Sequence, residues 1–360
     1  MAVGANQDKA PRLIIVIATN QRRGAEVLAE RLRKGLGARG WVVELVALNS
    51  VVSDGLDVET LVASDRRRLD PAVVRALRRR LKIAGADVVL ANGGATLRYG
   101  ALTTRRWRGA PLVYNSIGEP LYWLRSRSAR LLNRMLLKRM DRVFAVSEET
   151  RRQLLEIEPS LAAKVDVVHT GVPEEFFDVE RLDRGSRLRV VFIGSLSNEK
   201  NPMLALSAVA AVPEVDLRFV GSGPLDETLM MEVQRRGMDD RVTFVGSISD
   251  VRPHLAWADL ILQTSTTEGL PGAVMEAAAA GVMAIATDVG GTREVVLDDV
   301  SGTLVPSGDE QSLIEALTRV VTDRRRVEDM GLRARKHALD NFTWAAALDR
   351  YDSGLRGLIE

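Results

Sequence analysis

Short apolar runs alternate with stretches of helical spacing along the first half of the chain. Residues 13–18 form the first run, and the apolar positions after it recur at steps of three and four residues until Gly40. A glycine at that point ends a helix because it adopts the left-handed conformation easily. Strand, helix and strand in this order predict a βαβ unit. The apolar runs of this half are 13–18, 41–48, 86–91, 111–115, 142–147 and 165–169.

The same alternation restarts after residues 173–187, a polar segment with a proline, a glycine and several acidic residues that is typical of a linker. The later runs are 188–193, 215–220, 241–245, 259–263, 282–287 and 302–305. Two such series predict an α/β protein with two Rossmann-like domains that face each other across a cleft. We therefore expect domains at 1–172 and 188–340, joined by the linker at 173–187 and followed by a C-terminal segment at 341–360.

The composition is that of an ordinary folded protein, since 46% of the 360 residues are apolar, 27% are charged and none is cysteine. These proportions exclude a disordered chain, a collagen and a disulfide scaffold. No apolar run approaches the roughly 20 residues of a membrane span. Residues 1–11 lack the apolar centre of a secretory signal. We therefore expect a cytoplasmic protein that is soluble or, at most, peripheral at the inner membrane surface.

Charge is unevenly distributed, because residues 1–170 hold 30 Lys and Arg against 17 Asp and Glu, whereas residues 171–360 hold 20 against 31. Two basic stretches, 66–82 and 125–142, account for much of this difference. In the second, apolar residues recur at helical spacing, which fits a surface helix on anionic lipid or a core-facing helix with a solvated basic side. We favour the core-facing helix. Aromatic residues are sparse near both stretches, so nucleic acid is not an expected partner.

Residues 265–276, STTEGLPGAVME, form the most informative stretch, because they follow a predicted strand and lead into a helix. Parallel sheets bind ligands beyond the carboxyl ends of their strands. Gly269 and Gly272 leave backbone amides open, and a helix start attracts a phosphate. Glu268 precedes this helix and Glu276 lies within it, where sugar or ribose hydroxyls are suitable donors to a carboxylate. A solvent-facing glutamate on an amphipathic helix is the alternative for either acid.

The two acids with seven residues between them, the intervening GLPG and the later GGTRE at 290–294 resemble the donor site of retaining nucleotide-sugar glycosyltransferases of family four, which have the GT-B fold. The resemblance implies that Glu268 contacts donor-sugar hydroxyls and that Glu276 holds the ribose. Backbone amides of Gly269, Leu270 and Gly272 would face the sugar and the diphosphate. A helix at 343–358 would cross back to the first domain.

A second stretch, FIGSLSNEKNP at 192–202, resembles the diphosphate loop of the family. There the family places an arginine directly after the glycine and a lysine further on. This chain has Gly194, then Ser195 in place of the arginine, and it keeps Lys200. Departure of a nucleoside diphosphate builds negative charge that fixed donors stabilise. Lys200 is therefore expected at the diphosphate, although a surface lysine is the plainer interpretation.

Other loops resemble the family's base and acceptor sides, although ordinary βα turns also use glycine. The resemblance implies base-side roles for Gly221, Ser247 and Ile248, and acceptor-side roles for Arg23, Gly24, Gly118 and Glu119. Many relatives carry His-Gly after the strand predicted at 111–115, where this chain has Ile117 and Gly118. Glu119 is then the candidate that orients the acceptor hydroxyl, and with Glu268 and Lys200 it completes the catalytic set.

The sequence predicts neither a metal nor a further cofactor. It holds no Asp-x-Asp motif, no cysteine and no His-x-x-x-His pair. The predicted activity is a metal-independent retaining glycosyltransferase with a nucleoside-diphosphate-sugar donor and an anionic or membrane-associated acceptor. Ser195 and the missing loop histidine also fit an inactive nucleotide-sugar-binding partner subunit, and an epimerase or a phosphorylase would share the fold. A dinucleotide oxidoreductase is disfavoured because residues 18–24 lack a G-x-G-x-x-G fingerprint.

Overall fold

A computed structural model describes residues 10–21, 23–50, 55–62, 69–104, 109–183 and 185–359. The chain divides into two compact units, one formed by residues up to His169 together with Leu348–Glu360, and the other by Thr170–Ala347. The segment 173–187, predicted as a linker, groups with the second unit. Its Phe176 is 6% exposed, so this segment contributes to the packing of that unit.

The first unit alternates strands and helices as its apolar pattern predicts. Its elements are β1 (Arg12–Thr19), α1 (Gly24–Ala38), β2 (Val42–Asn49), β3 (Glu59–Val62), α2 (Pro71–Ala84), β4 (Val88–Asn92), α3 (Gly94–Thr104), β5 (Leu112–Ser116), α4 (Pro120–Trp123), α5 (Arg127–Leu137), β6 (Arg142–Ala145), α6 (Glu148–Ile157) and β7 (Val165–Val167), with a 3₁₀ turn at Pro159–Ala163.

The second unit repeats the alternation. Its elements are a 3₁₀ turn at Glu174–Phe176, then β8 (Leu188–Ile193), α7 (Pro202–Ala210), β9 (Val215–Val220), α8 (Asp226–Arg235), β10 (Val242–Gly246), α9 (Arg252–Trp257), β11 (Leu260–Gln263), α10 (Gly272–Ala279), β12 (Met283–Thr287), α11 (Thr292–Val295), β13 (Gly302–Val305), α12 (Glu310–Thr322), α13 (Arg324–Asn341) and the start of α14 (Trp344–Arg356). Every predicted strand is confirmed to within two residues, and β3 is the strand that the pattern missed.

Both sheets are parallel and doubly wound, which confirms the predicted fold class. The strand order is β3-β2-β1-β4-β5-β6-β7 in the first unit and β10-β9-β8-β11-β12-β13 in the second. The direction of winding reverses between β1 and β4, and again between β8 and β11. Loops that leave the carboxyl ends of such neighbouring strands diverge and open a crevice, which is where ligands bind in these sheets.

A buried polar chain joins α14 to the sheet of the first unit. The Tyr351 hydroxyl donates to Asn115 Oδ1 over 3.3 Å, Asn115 Nδ2 donates to Asn92 Oδ1 over 2.8 Å, and Asn92 Nδ2 donates to the Ala25 carbonyl over 2.8 Å. All three side chains are at most 2% exposed, and burial raises the pKa of the Tyr351 hydroxyl. The end of α14 is thereby fixed against β5, and β4 against the start of α1.

Helix α5 corrects one expectation, since its apolar residues do not all face the core. Leu136 and Leu137 are buried, at 4% and 2% exposure. Leu131, Leu132 and Met135 are 59%, 40% and 48% exposed. The core-facing interpretation of this stretch is therefore wrong for Leu131, Leu132 and Met135.

Within the described part of the chain, no helix combines the length and the apolar character needed to cross a membrane.

Candidate functional site

The loops that follow β8 and β11 meet at the point where the second sheet reverses its winding. Lys200 Nζ, in the first loop, donates to Glu268 Oε1, in the second, over 2.5 Å. β8 and β11 pair directly, with Val190 opposite Leu260, and this pairing brings the two loops together across 68 positions of sequence. The structure thus joins two residues that the sequence singled out separately.

Glu268 is held in a polar pocket of hydroxyl and amide donors. Its side chain is 8% exposed, and its Oε1 atom also accepts hydrogen bonds from Ser265 Oγ, over 2.6 Å, and from Gln263 Nε2. Buried carboxylates need such donors because an unpaired charge is costly away from water. The Oε2 atom has no hydrogen-bond partner among the described residues and is not among the fully buried atoms, so it is open to a ligand. Sequence reasoning missed Gln263 and Ser265. Gln263 is the last residue of β11 and Ser265 lies two positions after it, and this place at a strand end is the signal that could have identified them.

Lys200 keeps enough exposure to change partner, since 32% of its side chain is accessible. The backbone around it is fixed by threonines of the opposite loop. Thr264 Oγ1 donates to the carbonyls of Lys200 and Asn201, over 3.1 and 2.7 Å, and the Thr266 amide donates to the Glu199 carbonyl over 2.8 Å. The backbone that carries Lys200 is therefore held in place, while its ammonium group reaches Glu268 from a partly exposed position.

The loops after β8, β9 and β10 lie side by side at the same edge. The Gly194 amide donates to the Val220 carbonyl and the Gly221 amide to the Gly246 carbonyl, each over 2.9 Å. Gly194 and Gly221 have φ values of +149° and +134°, and a Cβ on Gly221 would overlap the Gly194 carbonyl oxygen. Only glycine allows such close approach of two backbones.

The remaining base-side and diphosphate candidates line this edge. Ser247 Oγ lies 2.6 Å from Ser222 Oγ, while Ile248 is 39% exposed. Ser195, which stands where the family has arginine, is exposed. Arg293, in α11, has its guanidinium ion-paired with Asp288.

Helix α10 begins directly after the Glu268 loop. Pro271 occupies the N-cap position and offers no polar side chain, so the first amides of the helix remain available to a ligand. Gly269 and Leu270 are buried before it, Gly272 is exposed at its first position, and Glu276 is half-buried one turn later. The Gly291 amide donates to the Gly269 carbonyl over 3.2 Å and so holds the GGTRE loop against this turn. The prediction of a solvent-facing side chain is wrong for Glu268, which is buried. Glu276 is half-buried, so it matches neither the buried nor the solvent-facing prediction completely.

The acceptor-side candidates lie in the first unit, at the ends of β1 and β5. Arg23 is the N-cap residue of α1 and is exposed, as is Gly24, while Arg22 lies outside the described residues. The Gly118 carbonyl accepts a hydrogen bond from Thr150 Oγ1 over 3.3 Å. Glu119 is the half-buried N-cap residue of α4.

Glu26 is a candidate that sequence reasoning missed. It lies in the first turn of α1, beside the predicted acceptor loop, and is 5% exposed. Burial raises the pKa of its carboxyl, although backbone amides and Arg23 act in the opposite direction. A carboxylate so close to a helix start usually stabilises the helix dipole, so the sequence alone gave no reason to single it out.

None of the three histidines of the sequence belongs to these loops. His254 lies in α9, and burial followed by the charge of Arg218 lowers its pKa. His337 Nε2 lies 2.8 Å from the Glu294 carbonyl oxygen. Over the ranges that the structure describes, no three histidine or acidic side chains cluster as a metal site requires.

Comparison with known families gives two adjoining matches. The profile described as "Glycosyltransferase Family 4" matches residues 22–176, and the profile described as "Glycosyl transferases group 1" matches residues 174–337. In sequence the chain is similar to a GDP-mannose-dependent alpha-(1-6)-phosphatidylinositol monomannoside mannosyltransferase from Mycolicibacterium smegmatis, with 28% identity over 76% of this chain and 78% of that protein. It is also similar to a D-inositol 3-phosphate glycosyltransferase from Kribbella flavida, with 31% identity over 67% of this chain and 61% of that protein.

Solved structures share the fold. Sucrose-phosphate synthase from Thermosynechococcus elongatus superposes with a TM-score of 0.85 and 18% identity, covering 97% of this chain and 99% of that one. Anabaena HepE in complex with UDP and glucose gives a TM-score of 0.82 and 20% identity, covering 96% and 99%. The two profile matches together run from residue 22 to residue 337, and the chain therefore belongs to the nucleotide-sugar glycosyltransferases of family four.

Proposed function

We propose that this glycosyltransferase is a retaining enzyme that transfers a sugar from a nucleoside diphosphate to an acceptor hydroxyl without a metal ion. The observation that carries the proposal is the contact of Lys200 with Glu268 at the switch point, next to the start of α10. A partly exposed cation, a carboxylate with one open oxygen and a helix start without a side-chain cap are groups that suit a sugar diphosphate. A relative named as GDP-mannose-dependent and a structural neighbour solved with UDP support a nucleotide donor.

The donor would lie along the carboxyl edge of the second sheet. Glu268 Oε2 accepts hydrogen bonds from the transferred sugar, and Glu276 accepts them from the ribose. Amides of Gly269, Leu270 and Gly272 face the sugar and the diphosphate. The base-side group is Gly221, Ser247 and Ile248, and the diphosphate group is Gly194, Ser195 and Lys200.

Transfer with retention proceeds on one face of the sugar. The acceptor oxygen forms a bond to the anomeric carbon while the bond from that carbon to the diphosphate oxygen breaks. The acceptor proton passes to the departing phosphate oxygen, so no protein base is needed. Lys200 leaves Glu268 for the diphosphate and neutralises the charge that develops as the bond breaks. The α10 N-terminus adds partial positive charge, and the two together replace a metal.

The acceptor would be held by the first unit, with Arg23, Gly24 and Gly118 lining its site and Glu119 orienting the reactive hydroxyl. The basic character of this half of the chain favours an anionic or membrane-associated acceptor.

A thermal-shift panel of nucleoside diphosphates and their sugars, each with a chelator present, tests the donor class. A ligand that binds only the folded state raises the melting temperature, and we expect one base to stand out. The matching sugar nucleotide is then incubated with candidate acceptors, and the anomeric configuration of the product is read by NMR. An inverted product, or activity that disappears with the chelator, contradicts the proposal; binding without any transfer indicates the non-catalytic partner subunit instead.

Glu276→Ala is expected to raise the donor dissociation constant by about 10- to 100-fold, because a hydrogen bond to a charged group contributes roughly 1.5–3 kcal/mol. Isothermal calorimetry with the nucleoside diphosphate measures this change. Glu315→Ala, which removes an exposed carboxylate from the middle of α12, is the matched control and is expected to leave affinity unchanged. Equal affinities for the two variants would remove Glu276 from the donor site.

A further inference from the structure

Helices α4 and α5 present an apolar surface to solvent in the first unit. Trp123, Leu131, Leu132 and Met135 are 61%, 59%, 40% and 48% exposed. We call these four residues and the cations around them the α4–α5 surface. Single exposed apolar residues are ordinary, but four large ones within thirteen positions form a patch that marks an interaction site.

The geometry of α5 explains why this patch is not part of the core. Successive residues of an α-helix are rotated by about 100°, so Leu131 and Met135 lie on one side while Leu136 and Leu137 lie on the other. Leu136 and Leu137 already belong to the apolar core of the first unit, at 4% and 2% exposure. The second apolar row has therefore no internal partner and needs an external one.

The charge around this row is of one sign. Between Glu119 and Asp141 the chain holds six Lys and Arg and no acidic residue. The cations are Arg125, Arg127, Arg130, Arg134, Lys138 and Arg139. Arg134 and Lys138 pair with one carboxylate, Glu158, over 2.9 and 3.7 Å. Arg125, Arg127 and Arg130 form no ion pair with the residues that the structure describes, so the face keeps an excess of positive charge.

The surface is held rigidly before any partner arrives. Ser126 Oγ caps α5 by accepting the Ala129 amide over 3.1 Å. Arg130 Nε donates to the Leu124 carbonyl over 3.0 Å and ties α5 to the end of α4. The Arg125 guanidinium lies 5.3 Å from the centre of the Tyr122 ring, which borders Trp123. Docking therefore costs little conformational entropy.

We propose that the α4–α5 surface docks on a bilayer that contains anionic lipids. Leucine, methionine and tryptophan enter the boundary between head groups and acyl chains, while arginine and lysine remain among the phosphates. A second copy of the chain fits less well, because two such faces would bring their cations together. A nucleic acid would match the cations and leave the apolar row exposed.

Docking here would place the predicted acceptor loop at the membrane. Glu119 is the N-cap residue of α4, and only three residues separate it from Trp123. A lipid-linked acceptor could then reach Glu119 and Gly118 without leaving the bilayer. This consequence rests on the proposed function, whereas the docking itself does not.

Helix α2 provides an internal comparison, because it is also basic but exposes a single large apolar residue, Ile83, rather than a row of them. Arg75 and Arg79 are exposed, whereas Val73, Leu77 and Leu81 are buried at 1% exposure or less. α2 therefore isolates the contribution of charge from that of insertion.

Flotation of the full chain with vesicles of phosphatidylcholine, with or without 30% phosphatidylglycerol, tests the proposal. We expect binding to the anionic vesicles and little to the neutral ones. The double variant Leu131→Ser/Met135→Ser is expected to lower the partition coefficient by about tenfold or more. Its matched control, Met230→Ser/Met231→Ser, removes two exposed methionines from α8 and is expected to bind like the wild type.

Charge is tested in parallel. Arg125→Glu/Arg127→Glu is expected to lower partitioning by tenfold or more, and Arg75→Glu/Arg79→Glu by less. Melting temperature and the nucleotide thermal shift verify that each variant is folded with an intact second unit. Failure of the wild type to bind anionic vesicles, or equal binding by the α5 and α8 variants, overturns the docking surface. Loss of nucleotide binding with intact flotation would instead contradict the proposed function alone.

Discussion

Replacing Lys200 by methionine is expected to lower kcat by about 10²- to 10³-fold, the usual cost of removing one donor from a site of developing negative charge. Methionine keeps most of the length and the apolar stem of lysine and removes only the ammonium group. This chain has Ser195 where the family has an arginine, so no second cation stands at that position. The decrease in kcat should therefore lie at the upper end of that range. A steady-state assay with the donor identified by thermal shift measures it.

The same variant should fold, because Glu268 Oε1 keeps its bonds from Ser265 and Gln263. Lys336→Met is the control, since Lys336 is an exposed lysine of the same unit that pairs with Asp340 over 2.7 Å. We expect wild-type kcat from the control. A Lys200 variant that melts like the wild type and retains its kcat would show that the diphosphate is stabilised by other groups.

Periodicity was sufficient for most of the fold, because buried parallel strands are nearly continuous apolar runs. β4 and β5 are buried at every position, and their runs are unmistakable in the sequence. β3 was missed because its four residues, Glu59–Val62, begin with glutamate and threonine and form an edge strand of the sheet. Its apolar run, Leu61 and Val62, is too short for the pattern to detect.

Local motifs were sufficient to identify Lys200 and Glu268 as site candidates. They were not sufficient to predict that the two side chains are in contact. The order β8-β11 of the sheet creates their contact, and no single-sequence pattern encodes which strands become neighbours. Gln263 and Ser265 escaped notice for a related reason. Their role depends on the buried carboxylate that they surround, and a buried polar residue has the same sequence signature as an exposed one.

The exposed row of α5 shows the limit of helical spacing. Leu131, Leu132, Met135, Leu136 and Leu137 all satisfy the spacing of an apolar helix. The helix nevertheless has two apolar sides, and only the side with Leu136 and Leu137 packs into the core. Spacing predicts that residues share a face. It does not predict how many faces have a partner, which depends on the elements packed around the helix.

Gly221→Ala is expected to destabilise the second unit by about 2 to 6 kcal/mol and to abolish nucleotide binding. The φ value of +134° is strained for any residue with a Cβ, at roughly 1–3 kcal/mol. The new methyl group would also overlap the Gly194 carbonyl oxygen, and such overpacking costs typically another 1–3 kcal/mol. Relief of this overlap must displace the loop that leads to Ser195 and Lys200. Denaturant unfolding and the nucleotide thermal shift measure the two effects.

Substitutions at two further glycines separate the stability cost of a positive φ from the cost of steric overlap. Gly246 also has a positive φ, +79°, but a Cβ there meets no atom within 4 Å, so Gly246→Ala should show the cost of strain alone. Gly37 lies within α1 with open space around it, and Gly37→Ala should stabilise the chain by about 0.5–1 kcal/mol. The expected order of stability is thus Gly37→Ala, wild type, Gly246→Ala and Gly221→Ala. Equal losses at positions 246 and 221 would mean that the loops after β8 and β9 are not in backbone contact, and the argument that this contact positions Lys200 would fail with it.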